Sequence, residues 1–134
     1  RARTTRSQTA TCSKSASTSE GGTPAMAWLL RDDEVLAALE VATSRRDRIR
    51  GLLGRDGIDG ALLIRPGKSV HSFGMRFPID VAFCDRGLVV LRTVSLRPNR
   101  LTRISLRCHC IIEAEEGAFD RWKLRPGDQL EVRE

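Results

Sequence analysis

The stretch His71 to Asp85, HSFGMRFPIDVAFCD, concentrates the side chains of this sequence that could do chemistry. His71, Ser72, Arg76 and Asp80 lie close together, Met75 sits among them, and Glu113 is a fifth polar candidate from across the sheet. An Arg and an Asp within reach of a His form a pocket for an anionic or hydroxylated ligand. The guanidinium offers a planar fork of donors and the carboxylate orients the imidazole. Paired only with each other, the same groups would merely fix the lead-in to a strand. A hydrolase built on the His71 and Asp80 cluster, with Ser72 as nucleophile, is the alternative. Against it, His71 and Ser72 point to opposite faces of an extended segment, and the chain has no Gly-x-Ser-x-Gly elbow. Asp80 and Glu113 could also supply paired carboxylates for glycoside chemistry, but sequence does not give their separation.

Two other clusters carry reactive or charged groups. Cys108, His109 and Cys110 would place both thiols on one face of a strand, with Cys84 able to approach from a neighbour. A lone Cys-x-Cys pair lacks the second pair of a zinc knuckle, so these cysteines are expected as small buried hydrophobes, with no metal. Arg86, Arg92, Arg97, Arg100, Arg103 and Arg107 form a stripe with no acidic residue between Asp85 and Glu113. Arg97, Arg100 and Arg103 are its candidates for binding an anion, and nucleic acid or another anionic polymer is the partner such a stripe would take; the plainer reading is a solvated basic face. The segment holds no aromatic residue and Asn99 is its one amide side chain, which leaves little for base readout. Gly51, Gly54, Gly57 and Gly60 follow a helix, whereas phosphate-cradling and dinucleotide motifs open one. No cofactor is expected.

The elements that must position these residues are short. Ile79, Val81 and Phe83 alternate with Asp80, Ala82 and Cys84, so both faces are mostly apolar and the segment reads as a central strand with Asp80 at its start. Pro78 pushes Phe77 out of the helical region and makes the lead-in extended. Ala27 to Arg31 and Val35 to Val41 flank the acidic turn Asp32, Asp33, Glu34 and predict a hairpin, although the Ala-rich second segment would equally suit a helix. Ser44 with Asp47 is a capping signature, and Ile49, Leu52 and Leu53 recur at helical spacing up to Gly54. This predicts a helix with one apolar stripe on the sheet and Arg45, Arg46, Arg48 and Arg50 in solvent. Ala61 to Ile64 and Ser69 to Phe73 read as strands around Arg65, Pro66, Gly67, Lys68, a type II turn. Asp85, Arg86, Gly87 turns the central strand back into Leu88 to Leu96, and Arg97 to Arg103 is a loop. Cys108 to Glu113 is a further strand, Gly117 to Leu124 a short helical turn, and Pro126-Gly127 a second turn before Gln129 to Val132. The fold class is mainly β: an antiparallel β barrel or sandwich of about seven short strands, one α-helix and a short C-terminal helical turn.

Several of these motifs occur together in a known family. The His, Ser, Phe, Gly, Met, Arg run with Pro78, Ile79 and Asp80 resembles the short bacterial form of domain of unknown function 192. So do Arg50-Gly51-Leu52-Leu53-Gly54-Arg55, Arg97-Pro98 with Arg100, Ile111-Ile112-Glu113 running to Gly117, and Pro126-Gly127-Asp128. The resemblance covers about Ala42 to Val132. Where longer members look to have Trp, this chain has Gly74, so an aromatic-stacking role does not carry over. Ala114, Glu115 and Glu116 replace a more apolar run and make that rim acidic. The resemblance implies no activity.

Composition bounds the remaining choices. At 134 residues the chain suits one domain. Four Phe, two Trp and no Tyr argue against surfaces built on stacking. Residues 1–25 are Ser-, Thr- and Arg-rich and are expected as a disordered basic tail, with Met26 an alternative translation start and 26–134 a single β-rich domain. That tail supplies half of the +6 net charge, and the abundance of Arg over Lys also fits a coding bias, so basicity points only weakly to nucleic acid. Four scattered Cys do not make a disulfide scaffold, and Ala25 to Leu30 is too short for a secretory core. A cytoplasmic, reducing placement is expected, with no membrane span. The reading reached is a binding or accessory module rather than an enzyme. Its partner is a small anionic or polar ligand or a protein, held at one end of the β shell.

Overall fold

A computed structural model describes residues 25–42 and 44–134. The elements are β1 (Ala25–Arg31), β2 (Glu34–Ala42), α1 (Arg45–Arg50), β3 (Ala61–Ile64), β4 (Ile79–Cys84), β5 (Val90–Leu96), β6 (Cys110–Glu115), α2 (Ala118–Trp122) and β7 (Glu131–Arg133). The seven strands form one sheet in the order β5-β4-β6-β3-β2-β1-β7. The sheet is open, but its ends are drawn together: Val90 N–H donates to Asp128 O, Gly127 N–H to Val90 O and Leu130 N–H to Leu88 O. These bonds tie the start of β5 to the segment entering β7 on the opposite edge. Apart from Ala25, the expected disordered tail lies outside the described residues.

Local chemistry accounts for most of the elements. Asp32 and Asp33 both take positive φ, +53° and +65°, the backbone that a tight hairpin turn between right-twisted strands requires. Ser44 caps α1 by accepting from Asp47 N–H at 3.0 Å. At the β4–β5 turn, Asp85 Oδ1 accepts from Gly87 and Val89 N–H at 2.9 and 3.0 Å. Gly127 at φ +96° completes the predicted Pro-Gly turn, closed by Asp128 N–H to Arg125 O. Every residue of β4 is buried, as the two-faced apolar pattern predicts, and it pairs with β5 on one side and β6 on the other.

Four expectations are corrected. Not all pairs are antiparallel: β2 and β3 run parallel, Leu39 opposite Ala61 through Ala42 opposite Ile64, with α1 in the crossover between them. Gly60 enters that crossover at φ +106°, where a Cβ would stand 2.5 Å from the Ala38 carbonyl oxygen; only glycine fits there. Second, α1 buries none of its residues and leaves Ile49 exposed; Leu52, beyond the helix end at Gly51, makes the buried contact. Third, Ser69 to Phe73 is a loop making one β-bridge, His71 to Leu101. Fourth, Gly67 has no positive φ, so the turn at Pro66 is not type II; its N–H donates to His109 O instead.

The sheet separates two apolar clusters. One contains Leu29, Leu39, Leu63, Ala82, Cys84, Ile112 and Ala114, with Ala118 and Phe119 of α2 packed on it. The other contains Leu62, Ile64, Val81, Phe83 and Ile111, and is covered by Leu52, Val70 and Met75 from the loops. Successive strand residues alternate between them. Which side each polar group of the sheet reaches follows from that parity.

Candidate functional site

Asp80 and Glu113 lie on opposite sides of the sheet. Asp80 pairs with Ala114, whereas Glu113 pairs with Val81 on one side and Leu62 on the other. Asp80 therefore shares the side of Ala82 and Cys84, and Glu113 the side of Val81 and Ile111. Paired-carboxylate chemistry is ruled out by that parity.

Asp80 is occupied by the backbone. Its Oδ2 accepts from Gly117 N–H at 3.0 Å and from Phe119 N–H at 3.1 Å, so it caps α2 from a neighbouring strand. Burial raises its pKa above the ordinary carboxylate value, opposed by those two hydrogen bonds. Arg76 does not reach it. The guanidinium pairs with Asp56 at 2.9 Å, both side chains well exposed, and such a pair contributes little. The expected meeting of Arg76, Asp80 and His71 does not form.

Ser72 has a structural post as well. It is fully buried; its hydroxyl donates to Arg97 O and accepts from Arg100 N–H at 2.8 Å, fastening the 97–103 loop to the 69–73 segment. Its hydrogen-bond partners among the described residues are all backbone groups, which argues against the nucleophile reading. We expect Ser72→Ala to cost about 2 kcal/mol in urea unfolding, because it leaves part-buried backbone groups without partners and empties a buried position. A loss below about 0.5 kcal/mol, the size of an ordinary surface change, would show that this knot does not fasten the loop.

The remaining candidates do converge. His71, Met75 and Glu113 line a cavity of about 540 Å³ roofed by α1 and the turn after it. Arg45, Arg48, Ile49 and Arg50 come from α1, Leu52 and Leu53 from the following turn, Pro66, Gly67, Ser69 and Val70 from the next loop, and Ile64 and Ile79 from the sheet. Cationic groups thus stand on the roof and rim, apolar side chains on the walls, and a carboxyl on the sheet side. Sequence reading runs the helix on to Gly54, whereas it ends at Gly51; the α1 arginines are unburied, as expected, and three of them also line this cavity. Gly51 ends the helix at φ +52° and passes over Glu113, so close that a Cβ there would lie 3.5 Å from Glu113 Oε1. The available signal was that a glycine ahead of Gly54 could close the helix early.

Glu113 is the unusual group in this cavity. It is 3% exposed, and among the described residues no hydrogen bond reaches its carboxyl. Burial pushes its pKa from 4.5 up to about 7, opposed by the charge of Arg55. Arg55 is itself committed to Glu40 through two bonds of 3.0 and 2.8 Å. Glu40, Leu62, Glu113 and Val81 form one row across four strands, which brings Arg55 near Glu113 without a direct contact.

The other clusters divide similarly. Cys108 falls in one apolar cluster and Cys110 in the other, because the chain turns before β6 begins; the expected shared face is lost. Cys84 stands opposite Cys110, and their hydrogen bond together with burial raises the Cys84 pKa. All three are free and buried, and among the described residues no group of three His, Cys, Asp or Glu could hold a metal. Arg97, Arg100 and Arg103 are exposed on the loop, whereas Arg92 lies over the Phe83 ring at 4.3 Å. No described helix is long and apolar enough to cross a membrane.

Comparison with known proteins agrees with this architecture. The model of the DUF192 family, described as "Uncharacterized ACR", matches residues 28–132. The chain belongs to that family. The match includes the N-terminal hairpin, which the sequence motifs alone did not reach. Among solved structures, a protein of Sinorhizobium meliloti described as a "putative transcription regulator" superposes with a TM-score of 0.70 at 20% identity, covering 84% of this chain and 98% of that one. A protein of unknown function from Novosphingobium aromaticivorans superposes with a TM-score of 0.65 at 14% identity, covering 89% and 99%. At these identities the likeness of this DUF192 chain is one of fold alone. No curated protein matches.

Proposed function

We propose that this DUF192 protein is a small binding module whose ligand occupies the cavity under α1. The observation that carries the reading is Glu113: a carboxyl almost wholly buried, without a hydrogen bond from the described residues, on the wall of a cavity large enough for a small molecule. Such a group costs stability unless something supplies a donor. A ligand hydroxyl facing Glu113 would do so, while an anionic group at the other end would meet Arg45, Arg50 and His71 on the rim. A hydroxylated anion fits both ends, with the aliphatic walls taking its carbon frame. A protein partner meets the rim but does not explain the carboxyl below it.

The test is a thermal-shift and amide-NMR titration with inorganic phosphate, glycerol 3-phosphate and glucose 6-phosphate. At one hundred times its Kd, a binding compound stabilises by about 2.7 kcal/mol, a shift of several degrees. The response should fall at least tenfold in affinity in Glu113→Gln and His71→Ala, and persist in Arg76→Ala, which lies outside the cavity. If none of the three compounds moves the amides of residues 49–53 and 69–71, the hydroxylated-anion reading is wrong.

A further inference from the structure

The loop between β5 and β6 shows large aliphatic side chains to water. Leu101 and Ile104 are each 67% exposed and Leu106 is 84% exposed. Between and beside them stand Arg97, Arg100, Arg103 and Arg107, all exposed and without an ion pair among the described residues. The loop is not loose. Ser72 N–H donates to Arg100 O, Thr102 N–H to Val70 O and Ser105 N–H to Lys68 O, so the backbone is fixed along the 68–72 segment. Lys68 Nζ adds bonds to Leu106 O and Cys108 O. The apolar and cationic side chains are therefore displayed on a held frame, at a cost in exposed apolar surface that folding alone does not require.

We infer that loop 97–107 docks this protein on an anionic lipid surface, with Leu101, Ile104 and Leu106 entering the interface and the arginines meeting headgroup phosphates. Other occupants match less of the surface. Residues 1–24 contain no Leu, Ile, Val, Met or aromatic residue and carry net positive charge, so neither their composition nor their sign suits this loop. A second copy of the same face would set arginine against arginine. A nucleic acid would meet the arginines but offer nothing to the aliphatic side chains. An anionic bilayer takes both: its phosphates attract the cations, and its acyl boundary takes the apolar tips. The inference is independent of the cavity ligand.

Sedimentation of the full chain with vesicles tests it, using phosphatidylcholine alone and a three-to-one mixture with phosphatidylglycerol. Binding to the mixed vesicles should exceed binding to the neutral ones by about tenfold or more. The triple change Leu101→Ser, Ile104→Ser, Leu106→Ser should weaken binding about tenfold with an unchanged melting curve, since the three side chains are exposed. Arg103→Gln with Arg107→Gln should weaken it by a similar factor, and added salt should reduce what remains. Equal binding to both vesicle types overturns the inference, as does a triple variant that binds like the parent. So does a DNA duplex bound more tightly than the mixed vesicles at the same salt, with the triple variant unaffected, which would assign the loop to nucleic acid.

Discussion

Glu113→Gln should make this protein more stable at pH 8 by about 3 kcal/mol, and the gain should vanish below pH 4.5. The direction follows from proton binding. The Glu113 pKa is 4.5 as a free side chain and about 7 in the folded chain. Between those values the native state binds the proton and the unfolded state has released it, so raising the pH through this window favours unfolding. Above about pH 7 the full cost is present, because the buried group must be charged and the cation that offsets its burial, Arg55, is itself paired with Glu40. Raising a pKa from 4.5 to about 7 corresponds to about 3 kcal/mol, or about 10 °C in Tm for a domain of this size. The charged and titratable groups that line the same cavity, Arg45, Arg48, Arg50 and His71, remain in both proteins, so the difference between them isolates Glu113. Urea titrations of parent and variant from pH 4 to 8.5 measure it. A difference that does not change with pH would mean that Glu113 titrates at the same pH in the folded and unfolded chain, and with it would go the argument for an unsatisfied group. Under the binding proposal, such a cost at neutral pH is stability given up to a site that its ligand would restore.

The strands of this DUF192 fold were legible because each carries its own signal. The alternation of Ile79 to Cys84 gives β4, the acidic turn gives the β1–β2 hairpin, and Pro126-Gly127 marks the turn before β7. The parallel pairing of β2 with β3 was not legible, since it depends on how the chain crosses from Ala42 to Ala61 and no local pattern records that path. The site divided for the same reason. His71, Met75 and Glu113 meet at one cavity, while Asp80 goes to the far side, because Asp80 is in register with Ala114 rather than with Glu113. A register different by one residue would have put both carboxyls on one face. Ser72 was misread on chemistry instead: a hydroxyl beside a His suggests reactivity, but burial turned it into a bond for two backbone groups.

Asp80→Ala should cost about 3 kcal/mol, Asp80→Asn about 1 kcal/mol, and Arg76→Ala almost nothing. The order separates a helix cap from an ion pair. If Asp80 served to hold Arg76, removing either partner would weaken the fold comparably; in the structure they have different partners, Asp56 for Arg76 and the α2 backbone for Asp80. The first residues of α2 have no cap of their own, because the position before the helix is Gly117, at φ +95° and without a side chain. One oxygen of Asp80 accepts both N–H groups in its place, and Phe119, one of the two donors, packs into the apolar cluster. Alanine strands two donors, each worth about 1–3 kcal/mol when left unpaired, with solvent at the rim relieving part of the loss at Gly117. Asparagine keeps an oxygen acceptor but forfeits the charge that strengthens both bonds. Urea unfolding gives the order, and hydrogen exchange gives the place: in Asp80→Ala the amides of Gly117 and Phe119 should exchange fastest relative to the parent, ahead of any change in β4. Equal losses for Asp80→Asn and Asp80→Ala would mean that the negative charge, rather than the pair of accepted bonds, holds this end of the sheet.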